Sequence, residues 1–218
     1  MHKFITLCLL VSAVMLASSC DESTDNVVPP PMPDASANYH VTFEGIWSAA
    51  THDNFPPVPH LSGLVGGTHT AAAVIWAEGA LASIGIKDVA ERGARNSLQN
   101  EFNVLGTAGS ACSVILADGI NPSPGSSMFT FTATLDCPLV TIVSMIAPSP
   151  DWFVGVAGLN LMEDGDWVES LVVTLDGYDA GTDSGASHNA ADFPTVPPEP
   201  IAPIGWLAGV GTFTFTRL

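Results

Sequence analysis

Basic residues are scarce in this chain. Of 218 residues only five are Lys or Arg against 22 Asp or Glu, which leaves a formal charge of −17. A nucleic-acid binder needs cationic surface to meet phosphates, so that class is excluded. The same deficit argues against holding anionic lipid by charge, although a bound calcium ion reverses the sign locally. Charged residues of either sign are only 12% of the chain and hydrophobic ones 47%, so a large core is available and the surface falls to Ser, Thr and Gly. The apolar run from Phe4 to Leu16 is too short to span a bilayer as a helix, which takes about 20 residues. Two hydrolase signatures are missing: there is no Gly-x-Ser-x-Gly elbow and no His-Glu-x-x-His pair. No internal repeat is visible.

The run that is too short to span has the length of a signal peptide, and Met1-His2-Lys3 supplies its basic opening. Ala17-Ser18-Ser19-Cys20 places small residues directly before a cysteine, the pattern of a bacterial lipobox, with Leu16 one place further from Cys20 than is usual. The alternative is an ordinary signal cleaved near Ser19. Asp21 to Ala37 includes Val27-Val28-Pro29-Pro30-Pro31-Met32-Pro33 and has little that packs; Pro-rich sequence of this kind is an extended, semi-rigid spacer. The chain therefore divides into a lipoprotein signal (residues 1–19), a tether (residues 20–36) lipidated at Cys20, and one domain (residues 37–218). The expected location is outside the cytoplasm, periplasmic or at the cell surface, with membrane contact through the lipid alone. Cys8 leaves with the signal, so Cys112 and Cys137 remain. In an oxidising compartment such a pair persists as a disulfide; the alternative is two buried thiols.

Within the domain, alternation marks strands at Tyr39 to Trp47, Met128 to Leu135 and Val210 to Arg217. Ala111 to Ala117 is a short apolar strand signal, and Leu139 to Ala147 is apolar throughout, as a strand buried on both faces is. Trp167 to Leu175 reads as a further strand. Lys87 to Glu101 is the convincing helical stretch, with Val89, Leu98 and Phe102 on its inner face. Ala71 to Ala82 is apolar and reads as either strand or buried helix. Many short strands with one or two short helices indicate an all-β, antiparallel sandwich. His52, His60 and His69 fall near Asp53 in a loop-rich region, and they carry the alternative of an exported metal-dependent hydrolase.

Two turn-rich loops hold the carboxylates of greatest interest. One reads Ala147-Pro148-Ser149-Pro150-Asp151-Trp152, the other Asp176-Gly177-Tyr178-Asp179-Ala180-Gly181-Thr182-Asp183-Ser184-Gly185. The prolines stiffen the first and the glycines let the second curl. Asp151, Asp179 and Asp183 brought together repel one another unless a cation lies among them, and calcium takes such oxygen donors in a forgiving geometry.

These same segments, with the opening Tyr39-x-Val41-x-Phe43-x-Gly45-x-Trp47, resemble the spondin domain, the N-terminal type of domain found in F-spondin. The resemblance covers Tyr39 to the C-terminus. It implies a C2-like sandwich, calcium held by Asp151, Asp179 and Asp183, and a non-catalytic role in adhesion toward an extracellular protein or glycan.

Overall fold

The computed structural model describes residues 32–218. The signal, Cys20 and the greater part of the expected tether lie outside the described residues. Alternation sets the first strand, β1 (Ser36–Gly45): Ala37, Tyr39, Val41 and Phe43 turn inward and the residues between them outward. A proline-containing loop leads to β2 (His60–Leu61) and β3 (Leu64–His69). Two helices follow, α1 (Ile84–Arg92) and α2 (Asn96–Thr107). Next come β4 (Ala111–Ala117), β5 (Gly125–Thr134), β6 (Leu139–Ala147) and β7 (Trp152–Asn160). A small hairpin, β8 (Met162–Glu163) and β9 (Asp166–Trp167), precedes β10 (Ser170–Leu175) and β11 (Gly177–Asp179). The chain ends with β12 (Ala202–Pro203) and β13 (Gly211–Arg217).

One sheet runs β10-β13-β1-β5; the other runs β12-β11-β7-β6-β3-β4, with β2 beside β6. The pairings are antiparallel. This is the expected all-β sandwich. Tyr39, Val41, Phe43, Phe213 and Phe215 of the first sheet meet Val140, Ile142, Ile146 and Val154 of the second. The helices cover the second sheet's other face, where Ile86, Val89, Leu98 and Phe102 pack on Val65, Val143 and Phe153. This third layer is why β6 is buried on both faces. A Cβ at Gly67 of β3 would lie 2.2 Å from the Ser113 carbonyl oxygen and 2.7 Å from the Phe102 ring, which accounts for glycine there.

Three segments depart from the sequence reading. Lys87 to Glu101 is two helices, because Gly93 takes a left-handed φ of 63° and closes α1 with its N–H on the Val89 and Asp88 carbonyls. The expected inner face survives the break: Val89, Leu98 and Phe102 are all buried. Ala71 to Ala82 is neither strand nor helix but a turn-rich connection; of its apolar residues Trp76 and Ala73 are buried while Val74 and Leu81 are exposed. Trp167 to Leu175 divides at Val168 and Glu169 into β9 and β10.

Cys112 and Cys137 are joined, with Cα atoms 6.0 Å apart. The bond links β4, an edge of the second sheet, to the turn after β5, an edge of the first, and so closes one side of the sandwich. At the end where the chain enters, Arg217 donates to Asp34 at 2.7 Å and to Glu169 at 2.8 Å. The Trp167 indole N–H donates to the Asp34 carbonyl at 2.8 Å. The β6–β7 turn and the loop after β11 lie at the opposite end, beyond Gly45 and Gly211.

Phe213 is fully buried between the sheets. Phe213→Ala is expected to lower unfolding stability by about 3–5 kcal/mol in urea titration; a loss below about 1 kcal/mol would show that the sheets are not packed as described.

Candidate metal centre

The two acidic loops meet. Asp151 stands just before β7 and has no exposed surface. Its Oδ2 accepts from the Thr182 N–H at 2.7 Å, the Asp183 N–H at 3.0 Å and the Thr182 hydroxyl at 3.2 Å. The Asp151 carbonyl accepts from the Ala180 N–H at 3.0 Å. One residue of the first loop thus organises the second. Asp179 closes a turn of its own: Oδ1 accepts from the Gly181 N–H at 2.7 Å, and Gly181 adopts a φ of 72° that glycine tolerates. Asp183 is 5% exposed and spends both oxygens on the loop, Oδ1 on the Gly185 N–H at 2.8 Å and Oδ2 on the Phe193 N–H at 2.7 Å.

Burial pushes the Asp151 carboxyl above its ordinary range; the Thr182 and Asp183 N–H groups oppose that shift and the Asp179 charge adds to it. Asp179 is raised as well, first by burial, with Glu199 and Asp183 contributing repulsion against the lowering by the Gly181 N–H and the Trp152 side chain. Asp151 Oδ1 is buried and has no hydrogen-bond partner. A buried carboxylate oxygen with nothing to satisfy it calls for a proton or a cation. All donors here are oxygens, the chemistry that calcium takes. The carboxylates do not form a ready-made cage: among the described residues no three His, Cys, Asp or Glu side chains gather as a metal-holding group. Asp183 turning both oxygens to backbone N–H groups is one reason. Asp151 and Asp179 are the residues with oxygen to spare, and backbone carbonyls and water complete calcium sites in general.

Beside these loops is a cleft of about 610 Å³ whose walls include Trp152, Asp179, Asp183, Glu199 and Trp206. Trp152 is buried, and His188 lies against Trp47, Trp152 and Trp206 with ring centroids 5.5, 5.0 and 5.6 Å away. Its Nδ1 is 2.9 Å from the Pro148 carbonyl, so the loop of Asp183 is also fastened to the loop of Asp151 from this side. Sequence reasoning passed over His188, Glu199 and Trp206. They come from irregular segments far along the chain, where spacing carries no signal.

The three histidines picked out in the sequence do not assemble. His60 pairs with Ala147 and His69 with Leu139, at opposite ends of β6. Both His69 nitrogens are engaged, with the Thr70 carbonyl at 2.9 Å and the Thr141 hydroxyl at 2.8 Å. His52 contacts the Thr51 hydroxyl and the Ala208 carbonyl.

Fold and loop site together define a sandwich module with an acidic loop end. Residues 37–208 match the family model described as Spondin_N, and the chain belongs to that family. It is 34% identical to Spondin-2 of Rattus norvegicus over 173 residues, covering 77% of this chain and 52% of the relative. Spondin-2 of Homo sapiens is likewise 34% identical, over 175 residues, with 78% and 53% covered. Spondin-1 of Rattus norvegicus is 34% identical over 199 residues, 84% of this chain but 24% of that protein. The chain thus spans about half the length of the Spondin-2 proteins and a quarter of Spondin-1.

Because folding raises the Asp151 pKa, the folded state favours the protonated form, and that preference fades as pH rises through the raised value. Without metal at neutral pH, Asp151→Asn is expected to raise the melting temperature, because it removes a carboxylate whose charged form burial disfavours. The advantage should shrink as pH falls and wild-type Asp151 takes up a proton. A gap that widens toward acid pH would contradict the assignment.

Proposed function

We propose that this chain is a non-catalytic, calcium-binding sandwich module, exported and held to a bacterial membrane by lipid on Cys20. It presents its loop end for adhesion, to an extracellular protein or glycan. The observation that carries the reading is the buried Asp151 carboxylate, whose Oδ1 lacks a partner where two acidic loops meet. Calcium would be held by Asp151 and Asp179, with Asp183 joining through the second lone pairs of oxygens that already accept from backbone N–H groups, and would supply the positive charge these loops lack. The chain's own residues do the positioning: Thr182 and Asp183 N–H groups fix Asp151, Gly181 lets Asp179 turn inward, and His188 braces the first loop. The disulfide accords with export to an oxidising compartment. Within the domain the loop end lies opposite Asp34. No observation favours the hydrolase reading.

A calorimetric calcium titration tests the site. Wild type should bind saturably, and Asp151→Asn should weaken binding at least about tenfold, since calcium affinity follows the charge of the ligand set. Asparagine keeps one carbonyl oxygen for the Thr182 and Asp183 N–H groups, so the loops stay folded and only the ligand is lost. Saturable binding unaltered in Asp151→Asn, or none in wild type, would reduce the aspartates to loop caps. The anchor has its own check. Cys20→Ser should move the protein from the membrane fraction to the soluble fraction, and an unchanged distribution would remove the lipid from the account.

A further inference from the structure

The three aspartates leave a calcium ion short of oxygen, since calcium takes about six to eight such ligands. Asp151 Oδ1 is buried without a partner and calls for a cation, but both Asp183 oxygens already accept from backbone N–H groups. Besides Asp179 and Asp183, the cleft beside these loops is walled by one further carboxylate, Glu199. Its backbone is fastened to the acidic loop. The Glu199 N–H donates to the Gly181 carbonyl at 2.8 Å, and the Thr195 N–H to the Thr182 carbonyl at 3.0 Å. The two segments run so close that a Cβ at Gly181 would lie 2.1 Å from the Glu199 carbonyl oxygen. Pro197, Pro198 and Pro200 fix φ on both sides of Glu199, as Pro148 and Pro150 do before Asp151. The side chain, by contrast, is uncommitted. Glu199 is exposed, and among the described residues its carboxylate has neither a hydrogen-bond nor an ion-pair partner. Burial is the first cause that raises the Asp179 pKa, and of the charges that add to it Glu199 comes ahead of Asp183.

We infer that Glu199 is a fourth carboxylate of the calcium centre, closing on the ion from the cleft side. The inference rests on the calcium reading above and adds a ligand that reading lacks. A glutamate on a fixed backbone supplies what the aspartates do not: a longer side chain that reaches inward without moving the main chain. It also brings two free oxygens. The last glutamate of an EF-hand loop plays the same part, giving both oxygens to an ion that shorter ligands already hold. Charge works in the same direction. Without metal, Glu199 and Asp179 repel across the cleft, and the Glu199 carboxylate stays in water. A divalent cation between them inverts that sign and draws the carboxylate in. Only side-chain torsions change, because the Glu199 backbone is already bonded to Gly181. Closure moves a wall of the cleft that also contains Trp206, so metal loading and the shape of the loop end are one event.

Titration of the full chain with calcium, and then with terbium, tests this. Terbium occupies calcium sites and is excited by neighbouring tryptophan, here Trp152 and Trp206. Its luminescence decay in water and in heavy water counts the waters left on the ion. Glu199→Gln should weaken calcium binding about five- to tenfold, and bound terbium should gain about one or two waters. The Glu199 side chain is exposed and unbonded, so folding is not at stake. Asp192→Asn removes one charge from a separate cleft that Asp183 also borders. It should change affinity less than about twofold, as a screened charge does, and leave the water count as in wild type. Unchanged affinity and water count in Glu199→Gln, with binding still weakened in Asp151→Asn, would overturn the inference and leave the calcium reading standing. Lost affinity without added water, or an equal loss in Asp192→Asn, would reduce Glu199 to a nearby charge. No saturable binding in wild type would remove both readings.

Discussion

The loop end of this molecule depends on one carboxylate. Asp151 is removed from water, yet its Oδ2 gathers two backbone N–H groups and a hydroxyl from a loop more than thirty residues away in sequence. Burying a charge is unfavourable unless hydrogen bonds or an opposite charge offset it. Here the hydrogen bonds reach only one oxygen, and the raised pKa expresses the shortfall on the other. The same contact aligns β7 with β11, because Asp179 pairs with Trp152 immediately beside it. Register in the second sheet and geometry of the acidic loops are therefore one constraint.

Around that point the fold is layered. β6 packs against the first sheet on one face and the two helices on the other, so the middle layer has no polar side to give away. Scarcity of basic residues shapes the rest. Arg217 faces Asp34, Asp166 and Glu169 at once and pins the start of the domain to its last strand. Lys87 and Arg92 are used along α1, on Glu91 and Asp88. No described basic side chain approaches Asp151, Asp179 or Asp183 closely enough to form an ion pair, and the acidic end keeps its charge.

Much of this was legible beforehand, for identifiable reasons. β1, β5, β6 and β13 show either strict alternation or unbroken apolarity, patterns that a pleated backbone imposes on any half-buried or fully buried strand. Counting cysteines left Cys112 and Cys137 as the available pair, with bond or two buried thiols both open, and the structure joins them. Prolines and glycines announced the loops that carry Asp151, Asp179 and Asp183, and the fold brings those two loops into contact. The helix break was less visible: Gly93 is a lone glycine inside a good helical pattern, and only its left-handed backbone, with Asn96 starting a new helix, shows that it ends one. Ala71 to Ala82 misled because small apolar residues have no period to read, and tertiary packing buried only Ala73 and Trp76.

The sequence by itself determined the periodicities, the turn positions and the charge balance, since these are local or additive properties. Tertiary structure decided which loops touch. Whether Asp183 lends its oxygens to its own loop, whether His188 finds three tryptophans, and whether β10 is left at the edge of its sheet all depend on contacts between distant segments. Those contacts are chosen by the packing of two sheets and two helices, in which each strand's neighbours follow from the whole arrangement and not from its own residues.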